Sequence, residues 1–306
     1  MKHIELAEKY FEKYGRSMIE DDFPEITDRY AAGLVGEGSG CFGFDDEISQ
    51  DHDFGPGFCI WLNDEDFARY GTQLQAAYDS LPSEFEGFSR SNILDTARVG
   101  VMSASDFYES FTGCRTIPSS NMDWFLISEA NLAAVTNGKI FDDKLGEFTR
   151  IRQGLMQFYP RDVLLKKLAA RAAVISQSGQ YNYGRCLKRG DKVAAGLALA
   201  HFCEAAVSMI YLLHGRPAPF YKWAYHGIKD FYENHKRFEE IMTCKNNVET
   251  QHKIELICAD LCSMMEEKKL IQPVGSNFLQ DYVTQLMSQI EDAELAAMHP
   301  MADVAI

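Results

Sequence analysis

The chain has 306 residues, of which 46% are hydrophobic, and its formal net charge is −15. This length allows two ordinary domains, and this hydrophobic content excludes an intrinsically disordered chain. No uninterrupted run of about 18 apolar residues indicates a membrane helix, and the start MKHIELAEKYFEKYG lacks the apolar stretch of a signal peptide. We therefore expect a cytoplasmic protein that does not enter a membrane.

Patterns of strands and helices alternate in the first half. Helical spacing of apolar residues predicts a helix over 3–20, and the run YAAGLVG from Tyr30 predicts a strand. Phe58, Ile60 and Leu62 are alternate residues of FCIWL and would point to the same face of a strand, so this run predicts a second strand. DEDFARYGTQLQAAYDSL and SASDFYESFTG have the caps of helices, and RVGVM between them predicts a third strand.

The second half has helical patterns only, punctuated by Pro160 and Pro217. The expected fold class is therefore α+β: a mixed sheet with helices in residues 1–147, followed by an all-α helical bundle in residues 148–306. An apolar helix such as GLALAHFCEAAVSMIYLL can pack inside the bundle or against a second copy, so a homodimer stays open.

Charge and cysteine usage narrow the possible functions. Residues 1–147 carry a net charge of −17 and residues 148–306 a net charge of +2, and ten Lys or Arg lie between positions 150 and 192. This asymmetry predicts cation binding by the first part and anion binding by the second, unless the charges only solvate the surface. The eight cysteines form no CxxC pair, and Cys258 and Cys262 are four residues apart, so we expect buried, reduced thiols rather than a zinc site.

A glycine-rich stretch, GEGSGCFGFDDEISQDHDFG, follows the first predicted strand. Gly38, Gly40 and Gly43 match the GxGxxG of a dinucleotide-binding fold, but an acidic segment stands where the phosphate-binding helix and crossover belong. Asp51 and Asp53 next to a strand would share one face and repel each other unless a cation or proton lies between them. Their hard oxygen atoms suit Mg²⁺. A glycine hairpin with surface acids is the alternative.

Gly38-Ser39, a spacer of eleven residues and Asp51-His52-Asp53 resemble the Gly-Ser…Asp-x-Asp signature of the polymerase-β-like nucleotidyltransferase superfamily, of the antibiotic or minimal nucleotidyltransferase type. Further strings resemble an uncharacterised bacterial branch of it with a helical C-terminal domain: LPSEFEGF, TNGKIFDDKLGEFTRIRQ, FYPRDVLLKKLA, KRGDK and APFYKWAY. The resemblance covers most of residues 34–226 and implies a nucleotidyltransferase-like sheet domain.

The resemblance also implies roles for individual residues. Backbone N–H groups around Gly38 and the Ser39 hydroxyl would bind the β and γ phosphates of a nucleoside triphosphate. Asp51 and Asp53 would be the catalytic carboxylates and hold one or two Mg²⁺ ions while pyrophosphate leaves. A lysine of the helical domain reaches the triphosphate in related enzymes. Lys167 is the first choice here.

Other side chains are candidates for the same site. Arg161 and Lys222 are further candidates for the triphosphate. Trp124 and Tyr221 are candidates for stacking on the base, although burial in the core is the more common fate of such residues.

The superfamily usually has a third carboxylate on a neighbouring strand, which acts as the base. The corresponding strand RVGVM has none, and four nearby candidates are not placed convincingly by the sequence: Asp95, Asp123, Glu84 and Glu86. This departure puts catalysis in doubt more than the fold.

The sequence thus favours Mg²⁺-dependent transfer of a nucleoside monophosphate from an NTP, with ATP the first choice, to a hydroxyl of a small molecule, which the acidic first part suggests is cationic and aminoglycoside-like. The alternatives are transfer to a protein or tRNA, as in toxin–antitoxin systems, and a catalytically weak nucleotide-binding protein. The net charge of −15 argues against broad nucleic-acid binding.

Overall fold

A computed structural model describes residues 1–48, 54–90 and 98–303. Contacts within the chain form two compact units. One comprises Met1–Pro118 and Asn131–Gln157, and we call it the sheet unit. The other comprises Ser119–Ala130 and Phe158–Ile306, and we call it the helical unit. Compactness alone does not define a functional domain, so the division between residues 147 and 148 stays a prediction.

The sheet unit contains a four-stranded mixed sheet and a small hairpin. The strands in chain order are β1 (Tyr30–Leu34), β2 (Cys59–Leu62), β3 (Glu84–Phe85), β4 (Phe88–Ser89), β5 (Gly100–Ser103) and β6 (Lys139–Asp143). The large sheet has the order β5-β2-β1-β6, in which β1 is antiparallel to β2 and β6, and β2 is parallel to β5. The three strands predicted from the sequence are β1, β2 and β5. Strand β6 was missed because polar and apolar residues do not alternate in its sequence, KIFDD.

Helices make up most of the rest of the described chain. In chain order they are α1 (His3–Tyr10), α2 (Arg16–Asp22), α3 (Ser39–Phe42), α4 (Asp64–Asp79), α5 (Ala104–Thr112), α6 (Asn121–Leu126), α7 (Glu129–Thr136), α8 (Glu147–Leu155), α9 (Arg161–Ile175), α10 (Gly184–Lys188), α11 (Lys192–Leu213), α12 (Tyr221–Ile228), α13 (Lys236–Thr243), α14 (Asn247–Glu267), α15 (Gln280–Met287) and α16 (Ala293–Ala297). π-Helical turns join α1 to α2 and α9 to α10. The α+β class is confirmed, with the mixed sheet towards the N-terminus and helices towards the C-terminus.

The two faces of the sheet bury different aromatic clusters, because alternate residues of a strand point to opposite faces. Phe58 packs at 5.2 Å from the ring of Phe11, on the side of the N-terminal helices. Trp61 stacks on Phe148 of α8 at 4.0 Å, on the other side. All three residues that the alternating pattern placed on one phase are buried, as are Cys59 and Trp61 on the other phase. The sheet is therefore covered on both faces.

The helical unit is organised around α9, which is buried along most of its length. Helix α11 is long and apolar enough to cross a membrane by length and composition, a property that core helices of soluble proteins share. His201 and Glu204 interrupt the apolar residues of α11, so its sequence contains no uninterrupted apolar run of membrane-spanning length. Its second half is buried, whereas Val193 and Leu197 in its first half are exposed.

Glycine is required where β6 approaches β1. Gly138 has φ +66°, and a Cβ there would lie 2.0 Å from the carbonyl oxygen of Leu34. Gly146 has a similar φ of +70° but no neighbouring atom within 4 Å.

We expect Gly146→Ala to lower the free energy of unfolding by about 1 kcal/mol, because alanine is strained in the left-handed backbone conformation. Gly138→Ala should lower it by roughly 2 kcal/mol more, because the backbones must separate.

Urea unfolding of the two variants checks this prediction, since a lower midpoint at unchanged slope reports lost stability. An equal decrease in the free energy of unfolding of the two variants would show that the approach of β6 to β1 does not require glycine at position 138.

Candidate functional site

The predicted phosphate-binding residues lie in a glycine turn at the end of β1. Gly36 and Gly38 have φ values of +129° and +104°, which L-residues rarely adopt. Ser39 begins α3, and Gly43 ends this helix in the left-handed conformation. The first N–H groups of a helix have no partner within it, so the turn presents backbone donors next to the Ser39 hydroxyl. This conformation accounts for the glycines of the stretch.

An asparagine that the sequence analysis did not single out holds this turn. The Asn137 side chain accepts a hydrogen bond from the Gly36 N–H at 3.0 Å and donates to the Gly36 carbonyl at 2.7 Å. Arg152 in turn donates to the carbonyl oxygens of Thr136 and Asn137, both at 2.7 Å. Asn-Gly at 137–138 signals a turn in the sequence, but nothing local shows that its side chain reaches a residue 101 positions away.

His3 of α1 connects the glycine turn with described residues on both sides of the predicted metal ligands. Its backbone N–H donates to the Asp45 carboxylate at 2.9 Å, and its Nε2 lies 3.1 Å from the Gly55 carbonyl oxygen. Its ring packs so closely on Gly40 that a Cβ there would lie 2.3 Å from Nδ1. The segment 46–54 therefore starts and ends beside this turn.

The predicted metal ligands Asp51 and Asp53 lie outside the described residues. Within residues 1–48, 54–90 and 98–303, no group of three or more His, Cys, Asp or Glu side chains is arranged to hold a metal ion. The magnesium site therefore stays a prediction. Its carboxylate donors are of the kind that Mg²⁺ prefers.

The surface beside the glycine turn carries charges of both signs. A cleft of about 370 Å³ is lined by Met1, Lys2, Glu5, Asp45, Asp46 and Glu47. On another side of the turn, the Arg98 guanidinium lies 3.6 Å from the Glu37 carboxylate, and a Cβ at Gly38 would lie 3.9 Å from the same guanidinium. Arg98 is a cation at the turn that the sequence analysis missed, because it lies far along the chain.

None of the described candidates for a third carboxylate lies on β5, where the sequence analysis expected it. Asp123 belongs to the helical unit, where it accepts a hydrogen bond from the Ser120 N–H at 3.1 Å in the capping box of α6. Glu84 and Glu86 are exposed residues of the hairpin β3–β4. Asp95 lies outside the described residues, and β5 carries no acidic residue. A third catalytic carboxylate is thus not identified in the described part of the chain.

The three cations predicted to contact the triphosphate belong to the helical unit and have separate surroundings. Lys167 is fully buried, and its Nζ lies 3.1 Å from Asp303. Arg161 donates to the Gln289 side chain at 3.0 Å, beside a cleft of about 590 Å³. Lys222 is exposed on α12 and lies over the ring of Trp223. These three cations therefore do not form one surface.

The two predicted stacking residues differ in exposure. Trp124 is buried, with 7% of its surface exposed, as residues of its type usually are. Tyr221 is 67% exposed, so the expectation that it is buried was wrong. Its position at the first turn of α12 points away from the core of the bundle, and its ring lies 4.5 Å from that of Phe220.

None of the eight cysteines, all of which lie in the described part of the chain, forms a disulfide bond. Cys258 and Cys262 are buried as predicted, and burial raises the pKa of Cys262 to about 12. The expectation of burial was wrong for four partly exposed cysteines: Cys114, Cys186, Cys203 and Cys244.

Comparison with known proteins gives one partial match. A family model described as "Domain of unknown function (DUF4037)" matches residues 124–224, about a third of the chain. No curated protein matches the chain. The matched segment includes α9, with Arg161 and Lys167, but the description assigns it no activity. The relation to nucleotidyltransferases therefore stays a prediction.

Asn137 provides a local test of the turn. We expect Asn137→Ala to speed hydrogen exchange of the Gly36 amide strongly, because its acceptor is lost, and to lower the free energy of unfolding by about 1–2 kcal/mol. Exchange measured by NMR or mass spectrometry checks this. Asn121→Ala is the matched control, because Asn121 donates to Asp292 in the helical unit. Unchanged exchange at Gly36 in Asn137→Ala would show that the side chain does not hold the turn.

Lys166 gives a pH-dependent prediction. Its ammonium group donates to the carbonyl oxygens of Pro300 and Ala302, and burial lowers its pKa to about 8. The unfolded chain then binds the proton more tightly between about pH 8 and the ordinary lysine pKa of about 10.4. The contribution of Lys166 to the free energy of unfolding therefore rises with pH through this range.

Lys166→Met removes this contribution. We expect the stability of wild type relative to Lys166→Met to increase as the pH rises from 8 to 10, in urea unfolding at several pH values. Taking the difference between the two proteins cancels the titration of the buried tyrosines. A difference that is flat or falls with pH would contradict the lowered pKa.

Proposed function

We propose that the protein is a Mg²⁺-dependent nucleotidyltransferase that transfers a nucleoside monophosphate from an NTP to a hydroxyl group of a small-molecule acceptor. The observation that carries this proposal is the glycine turn after β1. It presents backbone N–H groups and the Ser39 hydroxyl, and His3 holds it beside Asp45 and Gly55, which flank the Asp51-His52-Asp53 stretch in the sequence.

The residues of this chain have distinct tasks in the proposed reaction. The turn at Gly38-Ser39 binds the terminal phosphates through its backbone N–H groups and the Ser39 hydroxyl. The carboxylates of Asp51 and Asp53 bind Mg²⁺, which when present neutralises the triphosphate and the leaving pyrophosphate. Asn137 acts on the turn as a positioning residue, since its two hydrogen bonds fix the peptide groups of Gly36. The acceptor hydroxyl attacks the α-phosphorus in line, the bond between this phosphorus and the pyrophosphate oxygen breaks, and the hydroxyl proton passes to solvent.

A second candidate function is nucleotide binding without efficient transfer. The observation that favours it is the lack of an acidic residue on β5, where the superfamily places its base. Transfer to a protein or tRNA is a further alternative. We place the protein in the cytoplasm as part of the same proposal.

The experiment that tests the proposal is calorimetric titration of the purified protein with each of the four NTPs, with and without Mg²⁺. We expect Mg²⁺-dependent binding of one NTP that weakens on the order of tenfold or more in Asp51→Asn/Asp53→Asn. Asp21→Asn/Asp22→Asn is the matched control, because it removes the same charge from two exposed acids in the same unit. It should bind like wild type.

Each outcome has a clear meaning. Binding lost in the first variant alone supports the magnesium site, and release of pyrophosphate on adding an acceptor distinguishes transfer from binding. Failure of all four NTPs to bind with Mg²⁺ would refute the proposal. Equal weakening in both double variants would mean that only the overall negative charge matters.

A further inference from the structure

Three cations of α9 converge on a segment that follows α16. Residues 298–303, which we call the strap, run over Lys166, Lys167 and Arg171. The Asp303 carboxylate bridges two of these cations: Oδ1 lies 3.1 Å from Lys167 Nζ, and Oδ2 lies 2.6 Å from Arg171 Nη1. Lys166 donates to strap carbonyl oxygens. All three cations are at most 5% exposed.

Arg171 and Lys167, the two cations that Asp303 bridges, also contact groups outside the strap. Arg171 donates from Nε to the Ser208 hydroxyl at 2.7 Å and from Nη2 to Glu129 at 2.9 Å, which leaves Nη1 for Asp303. Lys167 Nζ lies 4.8 Å from the centre of the Tyr159 ring. The donors that receive Asp303 are therefore held in position by the bundle itself.

The strap, in contrast, has few features of a permanent core element. It has no regular secondary structure beyond a turn, and its residues are partly or fully exposed except for the Asp303 side chain, which is 6% exposed. Segments with little buried apolar surface open at low free energy compared with the core. Opening without a replacement would leave buried cations unpaired, which is costly. The strap can therefore leave readily only when another anion takes its place.

The charges indicate which anion fits. Three cations face two carboxylates, Glu129 and Asp303, so the closed cluster already has one positive charge in excess. Without Asp303 the excess is two, which matches a phosphate group near its dianionic form. A phosphate oxygen pair can also accept from Lys167 and Arg171 as the two oxygens of Asp303 do.

We infer that Lys166, Lys167 and Arg171 form a binding site for a phosphate group, and that the strap closes this site with Asp303 in the place of the ligand. The choice of a phosphate-bearing ligand rests on the proposed function, in which a triphosphate is the donor. The site is then available only to a phosphate group that displaces the strap, so the strap competes with that ligand.

Titration with inorganic pyrophosphate in the absence of Mg²⁺, at constant ionic strength, tests the inference. We expect Asp303→Asn to bind pyrophosphate at least about tenfold more tightly than wild type, because the competing carboxylate is gone. Asp230→Asn, which neutralises an exposed acid of the same unit, should bind like wild type. In Asp303→Asn/Lys167→Gln the gain should disappear. An unchanged or weaker affinity in Asp303→Asn would overturn the inference.

A second measurement uses wild-type protein and does not depend on the folding of a variant. The Ala302 N–H donates to the His299 carbonyl at 2.8 Å within the strap. Saturating pyrophosphate should speed hydrogen exchange of this amide, because the ligand displaces the strap. Unchanged or slower exchange would mean that the strap only fastens the bundle.

Repeating the titration with Asp51→Asn/Asp53→Asn separates this inference from the proposed function. The gain from Asp303→Asn should persist there even if Mg²⁺-dependent NTP binding is lost or never observed. A gain that vanishes in that background would show that the effect of Asp303 depends on the acidic pair, and it would overturn the site on α9.

Discussion

Close approach of backbone to backbone at the end of β1 is the constraint on which the sheet unit depends. Gly33 lies against β6, where a Cβ would be 2.5 Å from the Lys139 carbonyl oxygen, and a Cβ at Gly138 would be 2.0 Å from the Leu34 carbonyl oxygen. The backbone near these contacts also forms hydrogen bonds with side chains. Asn137 and Arg152 provide them. The turn after β1 is therefore shaped by its neighbours as much as by its own glycines.

The helical unit depends on a different constraint, the neutralisation of buried charge. Helix α9 carries Lys166, Lys167 and Arg171 inside the bundle, although burying an unpaired cation is strongly unfavourable. Glu129 and Asp303, which lie on opposite sides of α9 in the sequence, supply the compensating charges. Since neither belongs to α9, the stability of this helix is tied to distant parts of the chain. An ionic arrangement of this kind makes the burial of these cations depend on Glu129 and Asp303.

These two constraints explain why some residues of the proposed site can be recognised in the sequence and others cannot. Gly38 and Ser39 are recognisable because their types and spacing are unusual. Asn137, His3 and Arg98 act through contacts across roughly forty to a hundred positions, and no local pattern reports such contacts. Lys167 is recognisable because it resembles a phosphate-binding lysine. This resemblance does not reveal that Lys167 is paired with Asp303.

The sequence by itself determined the α+β class, the strands β1, β2 and β5 and the main helices, because hydrophobic periodicity and capping residues act over a few positions. It also placed glycines where positive φ values occur. Only the tertiary structure decided that Tyr221 is exposed, that Asn137 holds the glycine turn, and that three of the five charged residues of α9 are buried. These properties depend on which distant residues pack together, and packing follows from the sum of many weak contacts rather than from any local pattern.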